Sequence, residues 1–219
     1  MTGTLVVVRG AGDLATGCIL RLVRSGFRVA ALEAPEPSAI RRTVCLSEAM
    51  YEGSAQVEGL QAIRVNSPEE LRASLEAFAP NGPVPILADT EGAVIPHLRP
   101  LALVDAILAK RNLGTHLGMA GIVVALGPGF EAGVDAHAVV ETNRGHDLGR
   151  VILSGRAQSN TGIPGLVGGA GAQRVLHAPA AGEVENLKRI GDRVEAGEPI
   201  LAILGAEGRI LLAPSIGGT

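Results

Sequence analysis

The residues best suited to chemistry begin with a glycine turn. Gly10-Ala11-Gly12-Asp13-Leu14-Ala15 follows directly behind the apolar run at 5–8. Gly10, Gly12 and Ala15 match the G-x-G-x-x-G/A spacing of a dinucleotide-binding turn. In that reading Gly10 makes the turn, Gly12 lets the backbone approach a pyrophosphate, and Ala15 keeps a helix close to its strand. The helix start would then offer free N–H groups to an anion, with Asp13 helping to cap it or meeting the ligand itself. Glu33 lies about 20 residues further on, where an acid that takes a ribose hydroxyl is expected. Arg41 and Arg42 offer bidentate donors to a phosphate. Asp89, Gly127 and Gly129 stand behind two further apolar runs. In an open parallel sheet such strand ends share the edge where ligands bind.

A second cluster is denser in charge. Glu141, Arg144, His146 and Asp147 fall within seven residues of an otherwise apolar chain. Glu141, His146 and Asp147 are the candidates for proton transfer and Arg144 for holding the cofactor, and all are expected beside the glycine turn. His137, Val139 and Glu141 would share a face of one strand by the two-residue period. Their spacing defines no metal site, and none is expected. Cys45 sits in a polar stretch, where a thiolate would be able to carry sulfur or selenium. Cys18 reads as a small buried hydrophobe.

The elements that must position these groups follow from periodicity. Leu14, Ala15, Cys18, Ile19, Leu22 and Val23 form one helical stripe, and Gly26 ends it. A strand is predicted over 27–32 and one or two short strands over 56–65. A helix starts after Ser67, with Pro68 at its first position and Glu69 and Glu70 in its first turn. Buried strands are predicted at 84–88 and 121–126, and a helix at 101–110 between them. Two short strands are expected at 136–142 and 149–155. Apolar strands alternating with helices imply an α/β fold with a Rossmann-like parallel sheet.

Composition narrows the function classes. The net charge of −3 gives no general pull toward nucleic acid or acidic membrane. Three Phe, one Tyr and no Trp provide no base-stacking platform. No run approaches the roughly 18 apolar residues of a membrane span. A strand starting by Leu5 leaves no room for a signal peptide, so a cytoplasmic protein is expected.

Three regions are expected: a Rossmann-like domain at 1–160 with a β insertion near its end, a glycine-rich linker or loop at 161–173, and a small β-rich domain at 174–219. In the last, Ala178-Pro179-Ala180-Ala181-Gly182 recurs as Ala213-Pro214-Ser215-Ile216-Gly217. With Ile190-Gly191-Asp192-Arg193-Val194-Glu195-Ala196-Gly197 between them, this resembles the half-motif of lipoyl and biotinyl carriers, the barrel-sandwich hybrid. The carriers modify a lysine in the hairpin between halves. Here that hairpin reads Gly205-Ala206-Glu207-Gly208, so no swinging-arm carrier is expected. The barrel is expected to be incomplete, its open edge covered by other chain or a partner.

Longer stretches carry a family resemblance. They are Val8-Arg9-Gly10-Ala11-Gly12-Asp13-Leu14-Ala15-Thr16-Gly17, Leu126-Gly127-Pro128-Gly129-Phe130, Asn160-Thr161-Gly162-Ile163-Pro164-Gly165 and, above all, the stretch from Gly133 to Arg150 containing Glu141-Thr142-Asn143-Arg144-Gly145-His146-Asp147. Nearly the whole chain resembles the YqeB-type accessory proteins of selenium-dependent molybdenum hydroxylases. The resemblance implies a role in maturing such an enzyme or inserting its cofactor. The apoenzyme or other maturation proteins would be partners, and a homo-oligomer is expected. The cofactor would be a nucleotide or dinucleotide, either NAD(P) or a molybdopterin nucleotide. Two other classes stay open: an NAD(P)-dependent oxidoreductase, although no catalytic Tyr-Lys or His-Asp arrangement is evident, and a non-catalytic interaction module. Nucleotide binding separates both nucleotide-dependent readings from the module, and turnover of a small alcohol or acid separates the oxidoreductase.

Overall fold

The computed structural model describes residues 3–162, 165–206 and 208–218. Ile163, Pro164 and Glu207, which belong to the predicted linker and hairpin, lie outside the described residues. The chain divides into two compact units, Met1–Asn160 and Thr161–Thr219. No helix among the described residues is long and apolar enough to cross a membrane.

The first unit is mixed α/β. Its elements are β1 (Leu5–Arg9), α1 (Asp13–Arg24), β2 (Arg28–Glu33), α2 (Ala49–Glu52), β3 (Ser54–Val57), β4 (Leu60–Val65), α3 (Pro68–Glu76), β5 (Val84–Ala88), α4 (Ile95–Leu98), β6 (Ala102–Asp105), β7 (Ile122–Leu126), β8 (Glu131–Ala132), β9 (Ala138–Val140), β10 (Val151–Ile152) and β11 (Gly155–Arg156). Nine strands form one sheet in the order β10-β9-β7-β6-β1-β2-β5-β4-β3. The strands from β9 to β4 are parallel, and β10 and β3 pair antiparallel at the edges. From β1 the chain lays β2 alongside, goes to the edge as β3, comes back through β4 to β5 between β4 and β2, then crosses to the other side of β1 as β6. The strand order therefore reverses between β1 and β6.

Both faces of this sheet are covered, which explains its continuous apolar runs. Leu5 and Val7 of β1, with Ala30 and Leu32 of β2, pack under Leu71 and Leu75 of α3 and Ile95 of α4. Val8, Val29 and Ala31 face the other way, toward Ala15, Ile19 and Leu20 of α1 and Met50 of α2. The α1 stripe is rotated slightly from the predicted one. Thr16 and Leu20 join the buried face, while Leu14 is left 43% exposed. α3 starts as its sequence dictates: Ser67 Oγ accepts the N–H of Glu70, and Pro68 follows.

The predicted helix at 101–110 is a correction. Residues 102–105 are the central strand β6, and the chain beyond is an irregular loop in which Leu108 and Lys110 take positive φ. A short apolar run fits a doubly buried strand as well as a helix face, and its periodicity does not separate them.

The second unit holds the antiparallel sheet β12 (Glu183–Asn186), β13 (Leu201–Gly205) and β14 (Gly208–Leu212), in that order. Its buried centre is Ala202 and Ile203. Lys188 pairs with Glu198. The sheets among the described residues form no closed barrel.

Candidate functional site

β1 ends on Arg9, and the chain turns at once through Gly10 into α1. Gly10 has φ +99°, and a Cβ there would stand 2.8 Å from the carbonyl oxygen of Ala106. The chain itself requires this glycine, because the loop after β6 packs against it. Gly12 is different. Its φ of −65° and ψ of −173° suit any residue, and a Cβ there would meet no atom within 4 Å. Nothing in the fold demands a bare backbone at that point.

Gly12 is also the N-cap of α1, and no side chain caps this helix. The predicted capping role of Asp13 is thus corrected. Asp13 is the first helical residue, and its carboxylate instead takes a hydrogen bond and ion pair from Arg41. The N–H groups of Gly12, Asp13 and Leu14 have no acceptor among the described residues. Such groups at a helix start bind water, a cap or an anion.

Glu33 closes β2 beside this turn. One carboxylate oxygen accepts the N–H of Ala11 at 2.7 Å, and the other accepts that of Ala34 at 2.7 Å. Gly10, Gly12, Asp13, Glu33 and Arg41 line one cleft of about 510 Å³. Residues 36–40 form one wall. Ala106, Ile107, Leu108 and Lys110 form another. The cleft lies where the strand order reverses. Its charged lining is three carboxylates, Asp13, Glu33 and Glu36, and two cations, Arg41 and Lys110.

A buried polar hub lies at the ends of β1 and β6. Arg9, Asp105 and Thr115 are each 1% exposed. The Arg9 guanidinium donates to the Thr115 hydroxyl at 2.5 Å and to the carbonyls of Thr90 and Leu113. Thr115 in turn donates to Asp105 Oδ2, which lies 3.6 Å from Arg9 Nη1. Asp105 Oδ1 accepts the N–H of Ile107 at 3.2 Å, and Arg9 O accepts that of Ala106 at 2.8 Å. The hub therefore fixes the loop that forms the second wall.

The other predicted residues serve elsewhere. Arg42 is held by both oxygens of Glu48 and lines a separate depression. Asp89 accepts the N–H groups of Ala93 and Val94, closing the turn before α4. A Cβ on Gly127 would sit 2.6 Å from Thr142 Oγ1, and one on Gly129 would sit 2.6 Å from the Arg111 backbone. These two glycines answer to packing.

The polar cluster at 141–147 leaves the same sheet edge, since β9 runs parallel to β7. It does not line the glycine-turn cleft. β9 is three strands from β1, a separation of roughly 14 Å at the usual strand spacing. The expected proximity is therefore corrected. Glu141 is 3% exposed, and its oxygens accept the N–H groups of Asn143 at 2.8 Å and Gln158 at 2.7 Å. Burial alone would raise its carboxyl, but the N–H groups of Gln158, Asn143 and Thr142 hold it below the usual range. Its role is to staple a loop. Arg144 and His146 are exposed, and Asp147 pairs with Arg150 at 3.6 Å. His137 Nδ1 accepts the N–H of Val123. Among the described residues no group of three or more His, Cys, Asp or Glu gathers to hold a metal.

Burial pushes the Cys45 thiol up, and Asp13 and Glu48 push it further. Its Sγ lies 2.9 Å from the carbonyl of Arg41. Both effects oppose a thiolate. Burial likewise raises Cys18, which is half-buried.

Fold and site together define an α/β protein with one glycine-turn cleft at the edge of a mostly parallel sheet. The chain is similar to a protein of Escherichia coli (strain K12) described as "Uncharacterized protein YqeB", with 48% identity over 197 residues. The match takes in 90% of this chain and 36% of that relative, so the chain spans about a third of the relative's length. No family model and no solved structure matches the chain.

Proposed function

We propose that the glycine-turn cleft binds a nucleotide-type ligand through a bridging diphosphate, within a Rossmann-like first unit. The observation that carries this is Gly12. It is bare where no protein atom requires it, at an uncapped helix start with unpaired N–H groups. A reversal of strand order beside β1 supports the same reading, because open α/β sheets bind ligands at such points. The lining charges favour few ligand charges. Two cations against three carboxylates suit a dinucleotide diphosphate better than a triphosphate.

The resemblance to accessory proteins of selenium-dependent molybdenum hydroxylases sets this binding in a biological role. The protein matures such an enzyme or inserts its cofactor, working in the cytoplasm on the apoenzyme or its other maturation proteins. NAD(P) and a molybdopterin nucleotide are the two ligand types to compare. The second unit is a partial barrel-sandwich-like domain in this reading, and its uncovered sheet serves contacts with further protein. Calorimetric titration with NAD+, NADP+, ADP-ribose and molybdopterin cytosine dinucleotide is the test. Binding of at least one below millimolar concentration, lost in Gly12→Val, is expected. Absence of binding by all four overturns the reading.

A further inference from the structure

Arg41 and Asp13 are both exposed enough to exchange partners, with side chains 62% and 31% accessible. Arg41 ends the wall at 36–41, while Asp13 opens α1. The wall is anchored at its Arg41 end, whose carbonyl accepts the N–H of Val44 and lies 2.9 Å from Cys45 Sγ, and is lightly held before it. The Tyr51 hydroxyl bonds the carbonyl of Pro37, and Ile40 stands 89% exposed at the cleft. Only one guanidinium nitrogen of Arg41 bonds Asp13, through one carboxylate oxygen. Arg42 next door is turned to Glu48, which two of its nitrogens bond. Of the adjacent arginines, Arg41 alone lines the cleft and keeps donors to spare.

An exposed ion pair of this kind contributes little net stability, so breaking it costs little. Asp13 also adds a negative charge at the helix start that an incoming anion would approach. Lys110 is the other cation of the lining, and Glu33 and Glu36 are its other carboxylates.

We infer, resting on the diphosphate reading above, that Arg41 is the anion-recognising side chain of this cleft and that Asp13 is its built-in competitor. In the empty cleft Asp13 holds Arg41. A diphosphate at the head of α1 draws Arg41 away from Asp13 and brings the wall at 36–41 with it, so that Ile40 covers the ligand. Asp13 thereby sets a threshold that a single phosphate, with no second phosphate or nucleoside to hold it, does not pass.

The test uses the full chain at low ionic strength, with ADP-ribose, adenosine and inorganic phosphate as probes in calorimetry. Arg41→Gln is expected to weaken ADP-ribose at least about tenfold, as loss of a charge-assisted contact implies. Asp13→Asn is expected to tighten ADP-ribose about three- to tenfold by removing a nearby like charge, and to make phosphate binding measurable. Adenosine should respond to neither change. Unaltered ADP-ribose affinity in Arg41→Gln overturns the inference, as does weaker binding in Asp13→Asn. The two levels separate cleanly. If the unmodified protein binds neither ADP-ribose nor any other diphosphate, the underlying reading falls. If it binds and the variants behave like it, only the roles of Arg41 and Asp13 fall.

Discussion

Replacing Gly12 by valine separates a glycine kept for the fold from one kept for a ligand. At φ −65° and ψ −173° valine is unstrained, and its Cβ meets no protein atom within 4 Å. Two small effects on stability oppose each other. Removing a glycine restricts the unfolded chain and stabilises by about 0.4–1 kcal/mol. Valine is a poorer N-cap than glycine, at a cost on the order of 1 kcal/mol. The net change is within about 1 kcal/mol, or roughly 2–4 °C in melting temperature for a chain of this size. Binding behaves otherwise. Two methyl groups would stand over the N–H groups at the head of α1, so a phosphate loses close approach and its charge-assisted bonds. Affinity for ADP-ribose should fall by at least about 100-fold, which is 2.7 kcal/mol. The control is Gly10→Ala. Its φ of +99° and the 2.8 Å approach to Ala106 O predict a loss of stability well above 1 kcal/mol. Thermal melts and calorimetry on the three proteins decide. Equal affinity in Gly12→Val, or a Gly12→Val protein that melts as early as Gly10→Ala, would refute the reasoning.

Three further outcomes follow from the structure. Arg9→Met strands the buried Asp105 carboxylate without its cation, so urea unfolding should show a loss of about 3–5 kcal/mol. Glu141 has a lowered carboxyl. Its contribution is therefore complete above the unfolded value of about 4.3 and fades as pH falls through the lower folded value. Urea melts at pH 7 and pH 3.5 should show Glu141→Gln as less stable than the parent at pH 7, with the gap narrowing in acid. Co-expression with lipoyl and biotin ligases should leave the intact mass unchanged, because the hairpin at 205–208 lacks a lysine. Mass added to any lysine of the second unit refutes that.

Much of the α/β pattern was legible because its signals are local. β1, α1 and β2 follow from one apolar run, one stripe and one stop at Gly26, and α3 from Ser67 and Pro68. β6 was not legible. Leu103 and Val104 are apolar because both faces of a central strand are covered, and so short a run carries no usable period. That misreading had a consequence for the site. A helix through 101–110 would carry Lys110 along its own axis, whereas the strand ends at Asp105 and releases Lys110 into the wall of the cleft.

The site divides along a similar line. Gly10, Gly12 and Glu33 were found because a turn, a helix start and a strand end lie within one βαβ stretch. Asp89, Gly127, Gly129 and Glu141 share the same sheet edge, yet each is consumed by a local turn or by packing against a neighbouring loop. Being at a strand end is therefore far from sufficient for membership of the cleft, and loop residues 36–41 and Lys110 join it without being at one. Position across the sheet decides, and that order is set by pairings between strands distant in sequence. The buried hub shows the converse. Arg9 was in plain view as a charged residue closing an apolar strand, and Asp105 closed another. Two opposite charges ending two buried runs are a signal for adjacent parallel strands, since each charge pays for burial only beside its partner. From the sequence the rule leaves three acids for Arg9, since Glu33 and Asp89 also end apolar runs; the fold selects Asp105 by laying β6 beside β1.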